Sequence, residues 1–289
     1  MLVEFSSKQK VAIEGGLGKR NRLIRAARQA ASGIKIDDKP VHYYIYGPSG
    51  IGKTYWANKA VQDSEVIHRT VSGNVSMFAF GIDLAVTKFM FPEEPVVIIV
   101  DDCDEILKDA KTINQMKELL GTNKFTYNKR VNLGSLGEED SIPYMAVQQA
   151  MGNGIGFTVD CSNFTFIITS NIKLPFDSTA EDIVEKNGGM DNARSIRARH
   201  LAAIRGRCEV KDLDMSWEEK WGNLAYVTLE DDGCTTCDLE QKHFILEYIW
   251  NNWNDMKETS IRTVEKMGRT FQLEGSAGIK DAFDADFLK

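Results

Sequence analysis

The sequence predicts an α/β protein: a parallel sheet with helices on both faces, joined to a small all-helical domain. Three observations carry this. Short β-prone or apolar runs alternate with helical patterns, the arrangement that places crossover helices between parallel strands. Two of the runs, Val96 to Val100 and Phe164 to Thr169, are continuously hydrophobic, as strands covered on both faces should be. Past Asp214 the strand signal stops and only helical periodicity remains.

In chain order, residues 18–32 read as a helix with Leu23, Ile24, Ala27 and Ala30 along one side and arginines around them. A glycine and charged turn follows. His42 to Tyr46 is the first core strand, and it runs into glycine-rich sequence. Helical patterns at Lys53–Gln62 and Gly81–Phe89 separate it from the strands at 96–100 and 164–169, and Glu209 to Leu213 is a weaker fourth run. Three helical segments come next, around Ser216–Tyr226, Leu239–Asn252 and Glu258–Phe271. The acidic turn Glu230-Asp231-Asp232 with Gly233 breaks the first from the second. Domain bounds follow: an N-terminal helical segment at 1–39, an α/β domain at 40–213, a small helical domain at 214–273, and a tail of little periodicity at 274–289.

The chain has 289 residues, 43% hydrophobic and 27% charged, enough for a substantial core. A net charge of -7 argues against a generally basic nucleic-acid binder, though local patches can still do that job. There is no membrane-length apolar run and no apolar signal core at the N-terminus. Five scattered cysteines (Cys103, Cys161, Cys208, Cys234 and Cys237) suit reduced thiols, so a cytoplasmic location is expected.

The strongest chemical signal is Gly47-Pro48-Ser49-Gly50-Ile51-Gly52-Lys53-Thr54, which fits G-x-x-x-x-G-K-[ST] between a strand and a helix. Glycines let the backbone close around phosphate, so that successive N–H groups and the helix N-terminus face the anion. Lys53 is the expected ligand of the β and γ phosphates, and the Thr54 hydroxyl of Mg²⁺. ATP and Mg²⁺ are therefore the expected cofactors. Next, the 96–100 strand delivers Asp101-Asp102-Cys103-Asp104-Glu105 to its C-terminal end. Asp101 is the second Mg²⁺ ligand, largely through water. Asp102 is the candidate for polarising the attacking water, with Glu105 as its rival. Finally, the 164–169 strand ends in Ser170-Asn171, and the Asn171 amide has a donor for a γ-phosphate and an acceptor for the lytic water.

Together, GPSGIGKT, VVIIVDDCDE and IITSN in this order resemble the Walker A, Walker B and sensor 1 motifs of the AAA+ ATPases, over residues 40 to 272. The resemblance implies a five-stranded parallel sheet in the order 5-1-4-3-2, a helical lid, and a homo-oligomeric ring or spiral with ATP at its interfaces. Ala203 to Cys208 is similar to the SRC motif of clamp loaders, which makes Arg207 the candidate finger acting in trans, with Arg205 as the alternative. Such a cation is worth about 10³–10⁵ in rate. The alternative for the whole 194–207 arginine run is a solvated helix face. Ser260-Ile261-Arg262-Thr263 looks like sensor 2, with Arg262 reaching its own subunit's nucleotide. Asp102 departs from the family's usual Glu and resembles superfamily 3 viral helicases at this point. The combination looks like phage- or virus-encoded replication ATPases.

Residues 122–160 read either as a pore hairpin, with Lys124, Lys129 and Arg130 for phosphate and Phe125 and Tyr127 for stacking, or as a solvated surface hairpin. Met77-Phe78-Ala79-Phe80-Gly81 is either a second aromatic pore loop or the buried start of a helix. Cys234 and Cys237 form a lone CxxC, a weak zinc signal. Trp217, Trp221, Trp250 and Trp253 are expected in the lid core and at subunit contacts. The leading functional expectation is an ATPase that remodels a nucleic-acid-associated substrate. The alternatives are a superfamily 3-like helicase on single strands, and a protein remodeller or assembly ATPase indifferent to DNA.

Overall fold

The computed structural model describes residues 5–102, 104–107, 109–175, 193–230, 234–275 and 279–289. Expectations that fall on Cys103 and on the turn Asp231-Asp232-Gly233 lie outside these, as do the side chains of Glu105 and Arg194. In chain order, helix α1 (Ser7–Ala31) precedes a small ribbon, β1 (Lys35–Ile36) and β2 (Lys39–Pro40), then β3 (His42–Tyr46), α2 (Lys53–Gln62), β4 (Ile67–Ser72), α3 (Met77–Met90) and β5 (Val96–Asp101). After a 3₁₀ turn (Asp104–Leu107) come α4 (Ala110–Thr122), β6 (Lys124–Tyr127), a second 3₁₀ turn (Leu133–Leu136), α5 (Ile142–Met151), β7 (Phe157–Asp160) and β8 (Phe164–Ser170). Helix α6 (Ala193–Arg205) and β9 (Cys208–Asp212) follow, then α7 (Trp217–Glu230), α8 (Leu239–Asn252), α9 (Ile261–Glu274) and α10 (Ile279–Phe287).

The chain divides into two compact units. One holds residues 24–46 and 57–212, and with them the whole five-stranded sheet, ordered β4-β5-β8-β3-β9. All its pairings are parallel. Numbered along the chain as strands one to five, this is the 5-1-4-3-2 order. β5 and β8 lie centrally and every one of their residues is buried, which explains their largely apolar sequence, with polar residues gathered toward the C-terminal ends. Parallel register aligns the strand ends: Asp101 opposes Thr169, and Tyr46 opposes Ser170. The chain leaves β3 at Tyr46 straight into the glycine loop, and leaves β5 and β8 into the two acidic and polar turns.

Two features of this unit differ from the sequence expectations, and a third decides between two of them. β4 carries no continuous apolar run because it is an edge strand, with only Val71 buried. The 122–160 segment is not a hairpin. β6 and β7 do pair antiparallel, but α5 and a 3₁₀ turn lie between them. Phe125 is 1% exposed and packs edge-on to Phe80, so it is unavailable for stacking, and Tyr127 stacks on Phe157. Likewise Met77–Gly81 is the first turn of α3, capped by Ser76, with Phe80 fully buried. Aromatic residues in both segments serve the core.

The second unit comprises residues 1–23, 47–56 and 213–289. Its core gathers Trp221, Ile245, Ile249, Met267, Phe271 and Phe283. The Trp221 indole N–H donates to the Leu246 carbonyl at 2.8 Å, which lets a large ring be buried without an orphan donor. Trp250 packs against both Trp217 and Trp221, and Trp253 against Trp217. α1 crosses α7 with backbones in contact. A Cβ on Gly222 would lie 1.9 Å from the Ala12 carbonyl oxygen, and one on Gly16 2.5 Å from the Asn223 nitrogen. α8 and α9 both start with capping boxes, at Asp238 with Gln241 and Ser260 with Thr263. The residues read as a tail form α10 instead. Ile279, Phe283 and Phe287 recur every fourth position and are buried, and Asp284 accepts a 2.6 Å hydrogen bond from Tyr248. Cys234 and Cys237 are free thiols buried against Gly268, and burial pushes the Cys237 thiol up to about 12. Among the described residues no helix is long and apolar enough to cross a membrane.

Candidate nucleotide site

The glycine loop starts at Gly47, held close to Leu213, where a Cβ would meet the Leu213 Cβ at 3.1 Å. Gly50 and Gly52 have φ of +76° and +81°, the left-handed region that penalises any side chain. These two positions curl the loop so that α2 begins at Lys53 with its N-terminus in the loop. The Lys53 side chain is 6% exposed, and its ammonium donates to the carbonyls of Gly47 and Pro48, both at 2.9 Å. The lysine is thus folded over its own loop rather than extended into solvent. Asn223 of α7 donates to the Ile51 carbonyl at 3.2 Å, tying the loop to a lid helix through a buried bond.

The start of α9 lies on the same loop. A Cβ at Gly50 would come within 2.6 Å of the Ser260 Cβ, and one at Gly52 within 3.3 Å of the Ile261 Cδ1. Ser260 is the N-cap of α9. Arg262, one residue beyond Ile261, is exposed in the first turn. The start of α9, next to which the sensor 2 candidate Arg262 sits, therefore abuts the phosphate loop, both within one unit. Behind the loop, the Arg20 guanidinium lies over the Trp56 ring at 3.7 Å and over the Tyr226 ring at 4.4 Å. Sequence reasoning did not single out Arg20 or Asn223. Only the fold reveals their partners.

The sheet unit, described by itself, carries the acidic turn after β5. Asp101, the last residue of β5, is 7% exposed, and its Oδ1 accepts a 2.5 Å hydrogen bond from the Thr169 hydroxyl on the neighbouring strand. Asp102 follows with φ +47° and an exposed side chain. A left-handed non-glycine residue is uncommon, and Asp tolerates it better than most. That geometry turns the chain sharply out of the sheet and sets Asp102 apart from the buried Asp101. Asp104 then turns back to β8. Its Oδ1 accepts from the Ser170 hydroxyl at 2.6 Å, and its Oδ2 from the Asn171 amide at 3.5 Å. The Asn171 candidate is thus joined to the acidic turn by Asp104, a residue that the sequence reading passed over inside the DDCDE run. Beneath this turn the Tyr44 hydroxyl donates to the Ile172 carbonyl at 2.6 Å, and burial pushes that phenol up.

Arg207 lies elsewhere in the sheet unit, exposed in the turn before β9. Its guanidinium donates to the Ala203 carbonyl at 2.7 Å and lies beside Gly121 of α4. Within its unit it does not join the Asp101–Asn171 group. Arg197 of the same run is not simply solvated: its Nε donates to the Leu107 carbonyl at 3.0 Å, bracing the 3₁₀ turn that carries Asp104.

Taken by itself, the loop fits a nucleoside triphosphate, and the carboxylate end of β5 fits a hard divalent cation such as Mg²⁺. Two left-handed glycines, a helix N-terminus and a buried ammonium are what a polyphosphate requires. A hydroxyl at Thr54 and a carboxylate at Asp101 are hard oxygen ligands of the kind Mg²⁺ takes.

Residues 43–185 match the family model of AAA, the ATPase family associated with various cellular activities. No curated protein matches the chain. Among solved structures, a RuvB mutant from Thermotoga maritima is similar at 11% identity, over 94% of this chain and 70% of that one, with a TM-score of 0.45.

Proposed function

We propose, with an AAA-family ATPase domain at residues 43–185 as premise, that this chain is an oligomeric ATPase. In this reading Mg-ATP binding and hydrolysis are coupled to remodelling of a nucleic-acid-associated substrate. The observation that carries it is the phosphate loop itself, with left-handed Gly50 and Gly52 and buried Lys53 backed by the start of α9.

Each residue has a part. Loop N–H groups and Lys53 hold the phosphates. Thr54 and Asp101 hold Mg²⁺, with Thr169 fixing the carboxylate of Asp101 by its hydrogen bond. Bound there, the metal supplies neutralisation of charge on the transferring phosphoryl group. Asp102 takes the proton of the attacking water. Asn171, held by Asp104, orients that water. Arg262 reports the nucleotide state to the lid through α9. Arg207, standing apart from the carboxylate group of its own sheet unit, serves a neighbouring subunit's site in a ring or spiral. The clamp-loader likeness of Arg207 and the acid at Asp102 support a setting in phage or viral DNA replication.

The test is steady-state ATP turnover with and without single- and double-stranded DNA, on protein whose mass is measured with nucleotide bound. Turnover that rises with DNA in an oligomer supports the reading. Turnover indifferent to DNA favours the remodelling of protein alone, and no turnover at all with Mg-ATP overturns it.

A further inference from the structure

We infer that the exposed side of α1 binds the phosphate backbone of nucleic acid. This deepens the proposed function by naming where the nucleic acid is held, and it rests on that reading. The chain carries a net charge of -7, yet Lys8, Lys10, Lys19, Arg22, Arg25 and Arg28 all lie on this one helix, against Glu14 as its single acid. All but Lys19, which is half-buried, are exposed. Arg20 is set aside, because it is engaged with Trp56 and Tyr226. None of the six forms an ion pair or hydrogen bond through its side chain among the described residues.

Position on the helix sharpens the point. Leu23, Ala26, Ala27 and Ala30 are buried, and Arg22, Arg25 and Arg28 follow one another at three-residue steps on the exposed side. With a rise of about 1.5 Å per residue, the arginines are spaced about 4.5 Å apart along the axis and the cations span about 30 Å from Lys8 to Arg28. A file of guanidiniums with no acid between them suits a linear polyanion of regularly repeated charge. A second copy of this chain is the less suited occupant. A stable protein interface has an apolar centre, and Val11 is the one large hydrophobic exposed on this helix among the described residues. Interfaces with nucleic acid need positive charge instead.

The experiment titrates the full chain into fluorescein-labelled 30-residue probes (duplex DNA, single-stranded DNA and duplex RNA) and follows anisotropy from 50 to 200 mM salt. Three proteins are compared: wild type, Arg22→Ala/Arg25→Ala/Arg28→Ala, and Arg22→Lys/Arg25→Lys/Arg28→Lys. Their thermal unfolding and oligomeric mass are measured alongside. For duplex DNA, removal of three phosphate contacts should lower the slope of log K against log salt by about 2 to 3 and weaken binding by roughly tenfold or more at 50 mM salt. The lysine variant should keep the wild-type slope, and the three probes identify which backbone is preferred. Wild-type affinity and slope in the alanine variant would overturn the inference. So would a wild type that binds none of the probes. An alanine variant that loses its oligomeric mass while keeping the DNA slope would assign the helix to a second copy instead. ATP turnover without nucleic acid should be the same in all three proteins. Its absence from all of them, with the slopes behaving as expected, would sink the ATPase reading and leave this assignment standing.

Discussion

Thr169→Val removes a single hydroxyl from the end of β8 and should raise the Mg²⁺ requirement of turnover by about 10–100-fold. Thr169 is 1% exposed, and its hydroxyl donates at 2.5 Å to the carboxylate of buried Asp101. Valine has the same shape, so the change leaves strand packing intact and deletes only the bond. A hydrogen bond to a charged group is worth about 1.5–3 kcal/mol, and loss of a partner that orients a metal ligand typically costs about 10–100-fold in affinity. The same deletion takes one donor from a buried carboxylate, so unfolding free energy should fall by about 1–3 kcal/mol. The assay is ATP turnover as a function of free Mg²⁺ at saturating ATP, with a urea titration on the same samples. Thr169→Ser keeps the hydroxyl and should recover most of the metal dependence. If Thr169→Val needs no more Mg²⁺ than wild type, while losing the expected stability, Asp101 is not the metal ligand and the reasoning fails.

Other consequences follow from single contacts. Gly50→Ala places a Cβ at φ +76° and 2.6 Å from the N-cap of α9, so it should lower stability by about 2–3 kcal/mol and weaken nucleotide binding, read by urea unfolding and calorimetry. Arg207→Ala should bind nucleotide normally and turn over at least 10³-fold more slowly; mixed with Asp102→Asn subunits it should regain activity, and a mixture that forms hetero-oligomers without doing so would remove the trans role. The His42 ring accepts from the Phe166 N–H at its Nδ1 and contacts the Asn123 side-chain Oδ1 through Nε2, so it is buried neutral, and burial holds it down at about 4. Its folded value lies below the unfolded value of 6.5, so its contribution is complete above pH 6.5 and is lost as pH falls from there to about 4. The loss is on the order of 1 kcal/mol per pH unit, and His42→Leu should flatten that part of a urea-midpoint against pH curve.

The fold was legible where burial is two-sided and the site where backbone chemistry leaves a signature. VVIIV and FTFIIT announce central strands because every residue in them is buried. Gly50 and Gly52 announce the loop because their backbone angles admit little else. β4 was illegible for the opposite reason: an edge strand has solvent on one side and needs no apolar run. Phe125 misled because an aromatic beside a lysine reads as a stacking surface, and only tertiary packing shows its ring buried against Phe80. α10 was missed because its large apolar residues are just three, at a spacing that nine residues barely establish. Asp104 and Thr169 escaped notice because their roles are relational: each matters through a partner about 66–68 residues away that parallel pairing brings alongside.

The central claim is that the Gly47–Thr54 loop with Lys53 grips a magnesium-bound triphosphate. Calorimetric titration of Mg-ATP into the wild type and into Lys53→Ala tests it most directly. Saturable binding is expected in the wild type and none in the variant, with both proteins melting cooperatively. Equal binding by the two, or no heat from the wild type at saturating nucleotide and magnesium, would contradict it.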